Sequence, residues 1–99
     1  MKKTKMILVV EDEADLAQTI SFNLEREGYT CRRVADGDAA LAEVKRTAPD
    51  LIVLDRMLPG RSGDAVIAEL RRDPRSAAIP ILMLTAKAEE SDELVGFAL

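Results

Sequence analysis

Carboxylate side chains stand at the ends of two short apolar runs in this sequence. Glu11 and Asp12 follow residues 6–10, and Asp55 follows residues 51–54. Runs that are apolar throughout are typical of strands buried on both faces of a parallel sheet. In open α/β sheets, ligands bind outside the carboxyl ends of the strands. If the first and third strands are neighbours, the three carboxylates are therefore expected to meet in one crevice.

Three carboxylates in one crevice repel each other unless a cation lies between them. At least one carboxyl pKa is therefore expected to rise, and a hard divalent cation is expected to bind. Mg²⁺ is the predicted ion, because it prefers oxygen ligands and the chain has no His and a single Cys. Thr85, at the end of a later apolar run, adds a hydroxyl group to the same rim.

An Asp carboxylate can also act as a nucleophile and form an aspartyl phosphate, with a metal ion neutralising the transferred group. The alternative interpretation is that acids at strand ends only cap helices and keep the surface soluble. We favour that alternative for four other acids, namely Asp15, Asp36, Asp38 and Asp64. For Glu11, Asp12 and Asp55, the shared position after wholly apolar runs favours a site. The residues alone thus predict a Mg²⁺-binding α/β domain that can accept a phosphoryl group.

Helical patterns separate the apolar runs. Residues 13–27 carry apolar residues at helical spacing and precede Gly28, a residue type common at helix C-termini. Residues 38–47 and the segment after the turn-rich loop 58–63 repeat this pattern, and residues 89–99 are expected to begin a last helix. Strands and helices in alternation imply right-handed crossovers and a doubly wound parallel sheet of the α/β class, with helices on both faces.

Composition narrows the classes of function. A chain of 99 residues accommodates one small domain, so a separate effector domain is not expected. A net charge of −4 and an aromatic content of 3% argue against direct contact with nucleic acid. The lone Cys31 allows neither an intrachain disulfide nor a Cys/His zinc site. Because no apolar segment is long enough to span a bilayer, a soluble, cytoplasmic protein without membrane contact is predicted.

Four segments resemble motifs of the receiver domains of bacterial two-component response regulators. They are Val9-Val10-Glu11-Asp12-Glu13, Asp50-Leu51-Ile52-Val53-Leu54-Asp55, Arg56-Met57-Leu58-Pro59-Gly60 with Ser62-Gly63, and Met83-Leu84-Thr85-Ala86. These segments occur in the family's order and span nearly the whole chain. The resemblance implies the flavodoxin-like receiver fold with strand order 2-1-3-4. The Met-Leu-Pro-Gly loop is more typical of members that continue into a winged-helix DNA-binding domain, so the resemblance points to a transcription factor.

The resemblance also implies a role for each candidate residue. Asp55 would accept a phosphoryl group from a sensor histidine kinase. Asp12, Asp55 and the backbone carbonyl of Met57 would bind Mg²⁺, and Glu11 would assist through water. Thr85 would hydrogen-bond the phosphoryl oxygen and act as the switch residue. The protein would then be a signalling switch whose only catalysis is its own phosphorylation and dephosphorylation, and not an enzyme with turnover.

The chain departs from the family pattern at its end. In the family, a fifth strand ending in Lys-Pro and a final helix follow, so residues 1–99 are expected to form a receiver domain that is incomplete at its C-terminus. Lys87 is not expected to replace the family's lysine. The strand over residues 81–84 would become an exposed apolar edge. We therefore expect dimerisation or exchange of elements through the segment that begins at Pro80 and ends at Leu99.

Two other functions stay open on the sequence. A degenerate receiver that is never phosphorylated would act through protein contacts alone. The absent lysine favours that interpretation, whereas the retained acids oppose it. A Mg²⁺-dependent phosphatase with an Asp nucleophile usually has a second Asp two residues later as general acid. Met57 occupies that position, so turnover is not expected.

Overall fold

A computed structural model of the chain describes the backbone of residues 4–86 and 94–98, and the side chains of residues 4–84. Strands and helices alternate along most of the described chain. Their bounds are β1 Met6–Val10, α1 Ala14–Arg26, β2 Thr30–Val34, α2 Gly37–Arg46, β3 Leu51–Asp55, α3 Gly63–Arg72, β4 Ile81–Ala86 and β5 Leu94–Ala98. The strands form one sheet in the order β2-β1-β3-β4-β5, and the first four are parallel. The predicted parallel order 2-1-3-4 is confirmed.

The two central strands are apolar because both of their faces are covered. Leu8 and Val9, on opposite faces of β1, are each fully buried, and so are Ile52 and Leu54 in β3. A strand of a parallel sheet that lies between helices has no wet side, so alternation with polar residues is not required. The register pairs Val10 with Leu54, which aligns the carboxyl ends of β1 and β3.

Helices cover the two faces of the sheet unequally. Helices α2 and α3 pack on one face, over a core that includes Leu8, Ile52 and Val66. Helix α1 covers part of the other face, where Ile7 and Val53 are buried. None of the helices in the described ranges is both long enough and apolar enough to cross a membrane.

Local signals set the helix ends. The Asp36 side chain accepts a hydrogen bond from the Ala39 N–H at 2.7 Å and caps α2, while Ser62 caps α3 through the Ala65 N–H at 3.2 Å. Gly28 follows the end of α1 with φ of +99°, a left-handed conformation that favours glycine. The interpretation of Asp36 as a helix cap and the expected end of the first helix are both confirmed.

The last described element corrects the prediction of a helix over residues 89–99. Leu94–Ala98 is a strand and pairs antiparallel with β4, with Leu84 opposite Gly96. The free edge of a strand presents unpaired N–H and C=O groups, and a short apolar segment satisfies them by adding a strand. The sheet therefore has a fifth strand, and this strand runs antiparallel to β4. Residues 87–93 and 99 lie outside the described residues.

This strand also changes the basis of the predicted self-association. The expected exposed edge of β4 is paired with β5, so that premise of the prediction is wrong. Dimerisation or exchange of elements through the segment from Pro80 to Leu99 stays a prediction. The edge strand of this part of the sheet is now β5 rather than β4.

We expect the central strands to carry most of the stability. Replacing Leu8, which is fully buried, by Ala should lower the free energy of unfolding by about 3 kcal/mol, because a cavity is left in the core. The matched control is Phe22→Ala on α1, where the residue is 59% exposed and its ring lies under the Arg26 guanidinium. That change should cost less than about 1 kcal/mol. Urea unfolding measures both values, and equal losses would contradict the prediction.

Candidate functional site

Three carboxylates converge at the carboxyl ends of β1 and β3. Glu11 and Asp12 directly follow β1, and Asp55 is the last residue of β3. One oxygen atom of each carboxylate lies within 4.8 Å of those of the other two. The convergence predicted from the apolar runs is therefore present, since β1 and β3 are neighbours in the sheet.

Glu11 is the buried member of this cluster, with only 4% of its surface exposed. Its Oε2 atom accepts a hydrogen bond from the Glu13 N–H at 2.9 Å, and its own N–H donates to the Val34 carbonyl at 3.1 Å. Burial raises the pKa of Glu11 to about 7, and the neighbouring Asp55 carboxylate contributes to the rise. The Glu13 N–H opposes the shift in pKa. The expected increase in a carboxyl pKa thus falls on Glu11.

Asp12 and Asp55 are accessible from solvent. Asp12 is exposed, whereas Asp55 is half-buried. The Asp55 Oδ1 atom accepts a hydrogen bond from the Met57 N–H at 3.1 Å, which orients the carboxylate. The Met57 side chain is 79% exposed, so the backbone of this residue, rather than its side chain, contacts the cluster. A reagent in solution can reach Asp55 directly.

Gly63 holds the loop that follows Asp55. Its N–H donates to the Arg56 carbonyl at 3.0 Å, so residues 56–63 form a closed turn. A Cβ atom at this position would lie 2.7 Å from the Asp55 carbonyl oxygen and 2.9 Å from the Arg56 Cα atom. Only glycine fits this close approach of two backbone segments. Gly63 is part of the motif after Asp55, but this contact was not predicted from the sequence, where a glycine at a helix start was the only signal for it.

Thr85 lies at the carboxyl end of the neighbouring strand. Leu84 pairs with Asp55, and Thr85 is the next residue of β4. The Arg56 N–H donates to the Leu84 carbonyl at 3.2 Å, which ties the Asp55 loop to β4. The side chain of Thr85 and the whole of Lys87 lie outside the described residues. Their predicted roles, for Thr85 as switch and for Lys87 as no substitute for the family's lysine, stay predictions.

Two arginines of the loop form ion pairs with acids at helix starts. The Arg56 Nε atom lies 3.2 Å from Asp64 Oδ2, and the Arg61 Nε atom lies 3.0 Å from Asp38 Oδ1. All four side chains are at least 40% exposed, so each pair contributes little to stability. These contacts agree with the structural interpretation of Asp38 and Asp64.

The donor set of the cluster fits a hard divalent cation. It consists of carboxylate oxygens close enough to share one ion, and Mg²⁺ prefers oxygen ligands. Among the side chains of residues 4–84, no Lys or Arg forms an ion pair with Glu11, Asp12 or Asp55. The negative charge of the cluster is therefore not balanced by those side chains.

The raised pKa of Glu11 predicts an unusual dependence of stability on pH. Between pH 4.5, the ordinary value, and about 7, the folded metal-free protein binds more protons than the unfolded chain, so the free energy of unfolding falls as pH rises. We expect this contribution to be complete below pH 4.5 and lost above pH 7, a change on the order of 3 kcal/mol.

Glu11→Gln isolates this effect, because the amide oxygen can still accept the Glu13 N–H but cannot ionise. The difference in unfolding free energy between variant and parent should grow in favour of the variant from pH 4.5 to 7.5. Urea unfolding in the presence of a chelator measures the difference at each pH. A difference that does not change with pH would contradict the assignment of the raised pKa to Glu11.

Comparison with known proteins agrees with the fold. A family model described as the response regulator receiver domain matches residues 7–98. The sensory transduction protein RegX3 of Mycobacterium bovis is 44% identical over 93 residues, which cover 94% of this chain and 40% of the relative. The alkaline phosphatase synthesis transcriptional regulatory protein PhoP of Bacillus subtilis is 46% identical over 95 residues, covering 96% and 39%.

A solved receiver-domain structure also matches this chain in fold. It is the receiver domain of a sensor histidine kinase from Pseudomonas aeruginosa PAO1, with a TM-score of 0.82 and 33% identity, covering 91% of this chain and 74% of that one. That protein has a magnesium ion coordinated in its active-site cleft. The chain spans about 40% of the length of the curated relatives it matches. On the matched residues, the chain belongs to the response regulator receiver domain family.

Proposed function

We propose that this chain is a phosphoacceptor module in which Asp55 accepts a phosphoryl group from a sensor histidine kinase, in a reaction that needs Mg²⁺. The observation that carries the proposal is the convergence of Asp55 with Glu11 and Asp12 at the carboxyl edge of a parallel sheet. Of the three, Asp55 combines access from solvent with a carboxylate that a backbone N–H orients. Membership of the receiver family supports the same assignment.

Mg²⁺ would bind to Asp12, Asp55 and the backbone carbonyl of Met57, with Glu11 assisting through water. The magnesium ion in the related Pseudomonas receiver supports this choice of ion. When bound, the ion supplies positive charge that offsets the negative charge of the transferred group. Residues 1–99 would then act together as the receiver domain.

Asp55 performs the chemical step. Its Oδ1 atom is engaged by the Met57 N–H, which leaves Oδ2 as the oxygen that attacks phosphorus. A bond forms between this oxygen and phosphorus while the bond between phosphorus and the donor breaks, and the donor leaves with the electron pair. Once Asp55 carries the phosphoryl group, Thr85 at the end of β4 would report its presence through its hydroxyl group.

The module acts as a switch rather than as an enzyme with turnover. Where a phosphatase of the Asp-nucleophile type has its general acid, this chain has the exposed Met57. Loss of the phosphoryl group would come from its own slow hydrolysis. The partner is a sensor histidine kinase, and direct contact of this chain with nucleic acid is not expected. A cytoplasmic location stays a prediction.

Phosphorylation can be tested directly by intact mass. Incubation with acetyl phosphate and Mg²⁺ should add one phosphoryl group per chain, because Asp55 is accessible and oriented. Asp55→Asn should abolish the adduct, and a chelator should prevent it. Asp15→Asn, which changes an exposed acid in the first turn of α1, should leave it unchanged as the matched control.

Other outcomes have defined meanings. A folded protein with no adduct would leave the degenerate receiver, which acts by protein contact alone. Release of many phosphate molecules per chain would favour the phosphatase. An adduct that persists in Asp55→Asn would place the phosphoacceptor elsewhere.

The contributions of the two other acids to metal binding should differ. Asp12→Asn should weaken Mg²⁺ binding by about tenfold or more, since it removes a charged ligand at the solvent side of the cluster. Glu11→Gln should have a smaller effect if Glu11 acts through water. Calorimetric titration at pH 8, where Glu11 is ionised, measures both affinities. Equal affinities for Asp12→Asn and the parent would contradict the proposed ligand set.

A further inference from the structure

Gly37, the first residue of α2, packs against the far end of the Asp55 loop. It is buried, and a Cβ atom at this position would lie 2.7 Å from Val66 Cγ2, 3.0 Å from the Arg61 carbonyl oxygen and 3.1 Å from Arg61 Cβ. The φ angle of Gly37 is not in the left-handed region. Glycine is therefore needed here for space and not for backbone conformation.

Arg61 belongs to the loop that directly follows Asp55. Two residues after Arg61, Gly63 approaches the Asp55 carbonyl oxygen so closely that a Cβ atom would lie 2.7 Å from it. The loop over residues 56–62 is thus confined at both ends by a glycine contact. If the Arg61 carbonyl group moved, Gly63 would move with it, and the backbone of Asp55, which Gly63 contacts, would shift in turn.

Side-chain contacts alone do not hold the start of α2 against the 56–62 loop. The ion pair of Arg61 with Asp38 joins the same two segments, but the side chains are 40% and 79% exposed. Exposed pairs of this kind contribute little and are screened by salt. Close packing of Gly37 against a carbonyl group is short-ranged and stiff, so it determines the distance between α2 and the loop.

We propose that Gly37 is a positioning residue for the Asp55 site. By letting α2 approach the Arg61 carbonyl, it sets the place of the 56–62 loop, and through Gly63 and the Met57 N–H it sets the orientation of the Asp55 carboxylate. The consequence for metal binding rests on the proposed function. The consequence for the loop does not, because it concerns the metal-free protein.

Gly37→Ala tests the proposal against Gly28→Ala. At Gly28 nothing lies within 4 Å of an added Cβ, but φ of +99° makes the substitution strained. Both variants should therefore lose stability, for different reasons and at different distances from Asp55. Gly37→Ala should also move the amide NMR signals of Met57 and Gly63 in the metal-free protein and weaken Mg²⁺ binding by about tenfold. Gly28→Ala should leave these signals and the Mg²⁺ affinity as in the parent.

A second comparison, made in the Val66→Ala variant, distinguishes an effect on the site from an effect on core packing. In Val66→Ala the nearest obstacle to a Cβ at position 37 is removed, while the Arg61 carbonyl at 3.0 Å remains. Adding Gly37→Ala to this background should cost less stability than in the parent, because the methyl group enters the vacated space. The amide shifts and the weaker Mg²⁺ binding should persist. This pair of variants also decides the question if Gly37→Ala alone does not fold.

The proposal is wrong if Gly37→Ala lowers stability but leaves the Met57 and Gly63 signals and the Mg²⁺ affinity unchanged, as expected for Gly28→Ala. It is also wrong if Val66→Ala removes the amide shifts caused by Gly37→Ala, because the effect would then come from the core. Failure of the parent to bind Mg²⁺ would instead contradict the proposed function. In that case the amide signals of the metal-free variants still decide the role of Gly37.

Discussion

The burial of one carboxylate beside two others is the constraint around which this molecule is organised. The fold brings Glu11, Asp12 and Asp55 within 4.8 Å of one another and buries the first of them. A buried carboxylate beside two others is unfavourable when ionised, and the pKa of Glu11 rises to about 7 as a result. A proton or a divalent cation relieves the same strain. The property that weakens the metal-free protein near neutral pH is thus the one from which the proposed affinity for a cation follows.

The sheet can hold this unfavourable cluster because its central strands are so thoroughly buried. Leu8, Val9, Ile52 and Leu54 are fully buried, which stabilises β1 and β3 side by side and keeps their carboxyl ends aligned. The backbones that carry the acids then cannot separate without breaking strand pairing. The register of β1 and β3 therefore couples the stability of the core to the unfavourable proximity of the three carboxylates at the edge of the sheet.

The loop after Asp55 is positioned by backbone contacts rather than by side-chain attraction. Gly63 approaches Asp55 and Gly37 approaches Arg61. A methyl group at Gly63 would require the backbone to move, whereas at Gly37 it would meet Val66 Cγ2 at 2.7 Å and the Arg61 carbonyl oxygen at 3.0 Å. The exposed ion pairs of Arg56 and Arg61 also join this loop to the starts of α3 and α2, but each pair is weak. Close packing of this kind holds a loop in place more accurately than solvent-screened charges can, and it links helix α2 to the loop after Asp55.

The sequence by itself determined that strands alternate with helices and that acids stand at the ends of two apolar runs, because apolar runs and helical spacing are local patterns. The strand order 2-1-3-4 followed from the resemblance to receiver domains. The sequence also indicated the caps at Asp36 and Gly28. Tertiary structure decided the rest: which carboxylate is buried, how Gly37 and Gly63 confine the loop, and that Leu94–Ala98 pairs with β4 instead of forming a helix. Each depends on contacts between residues distant in the chain, whose distances and partners no local pattern contains.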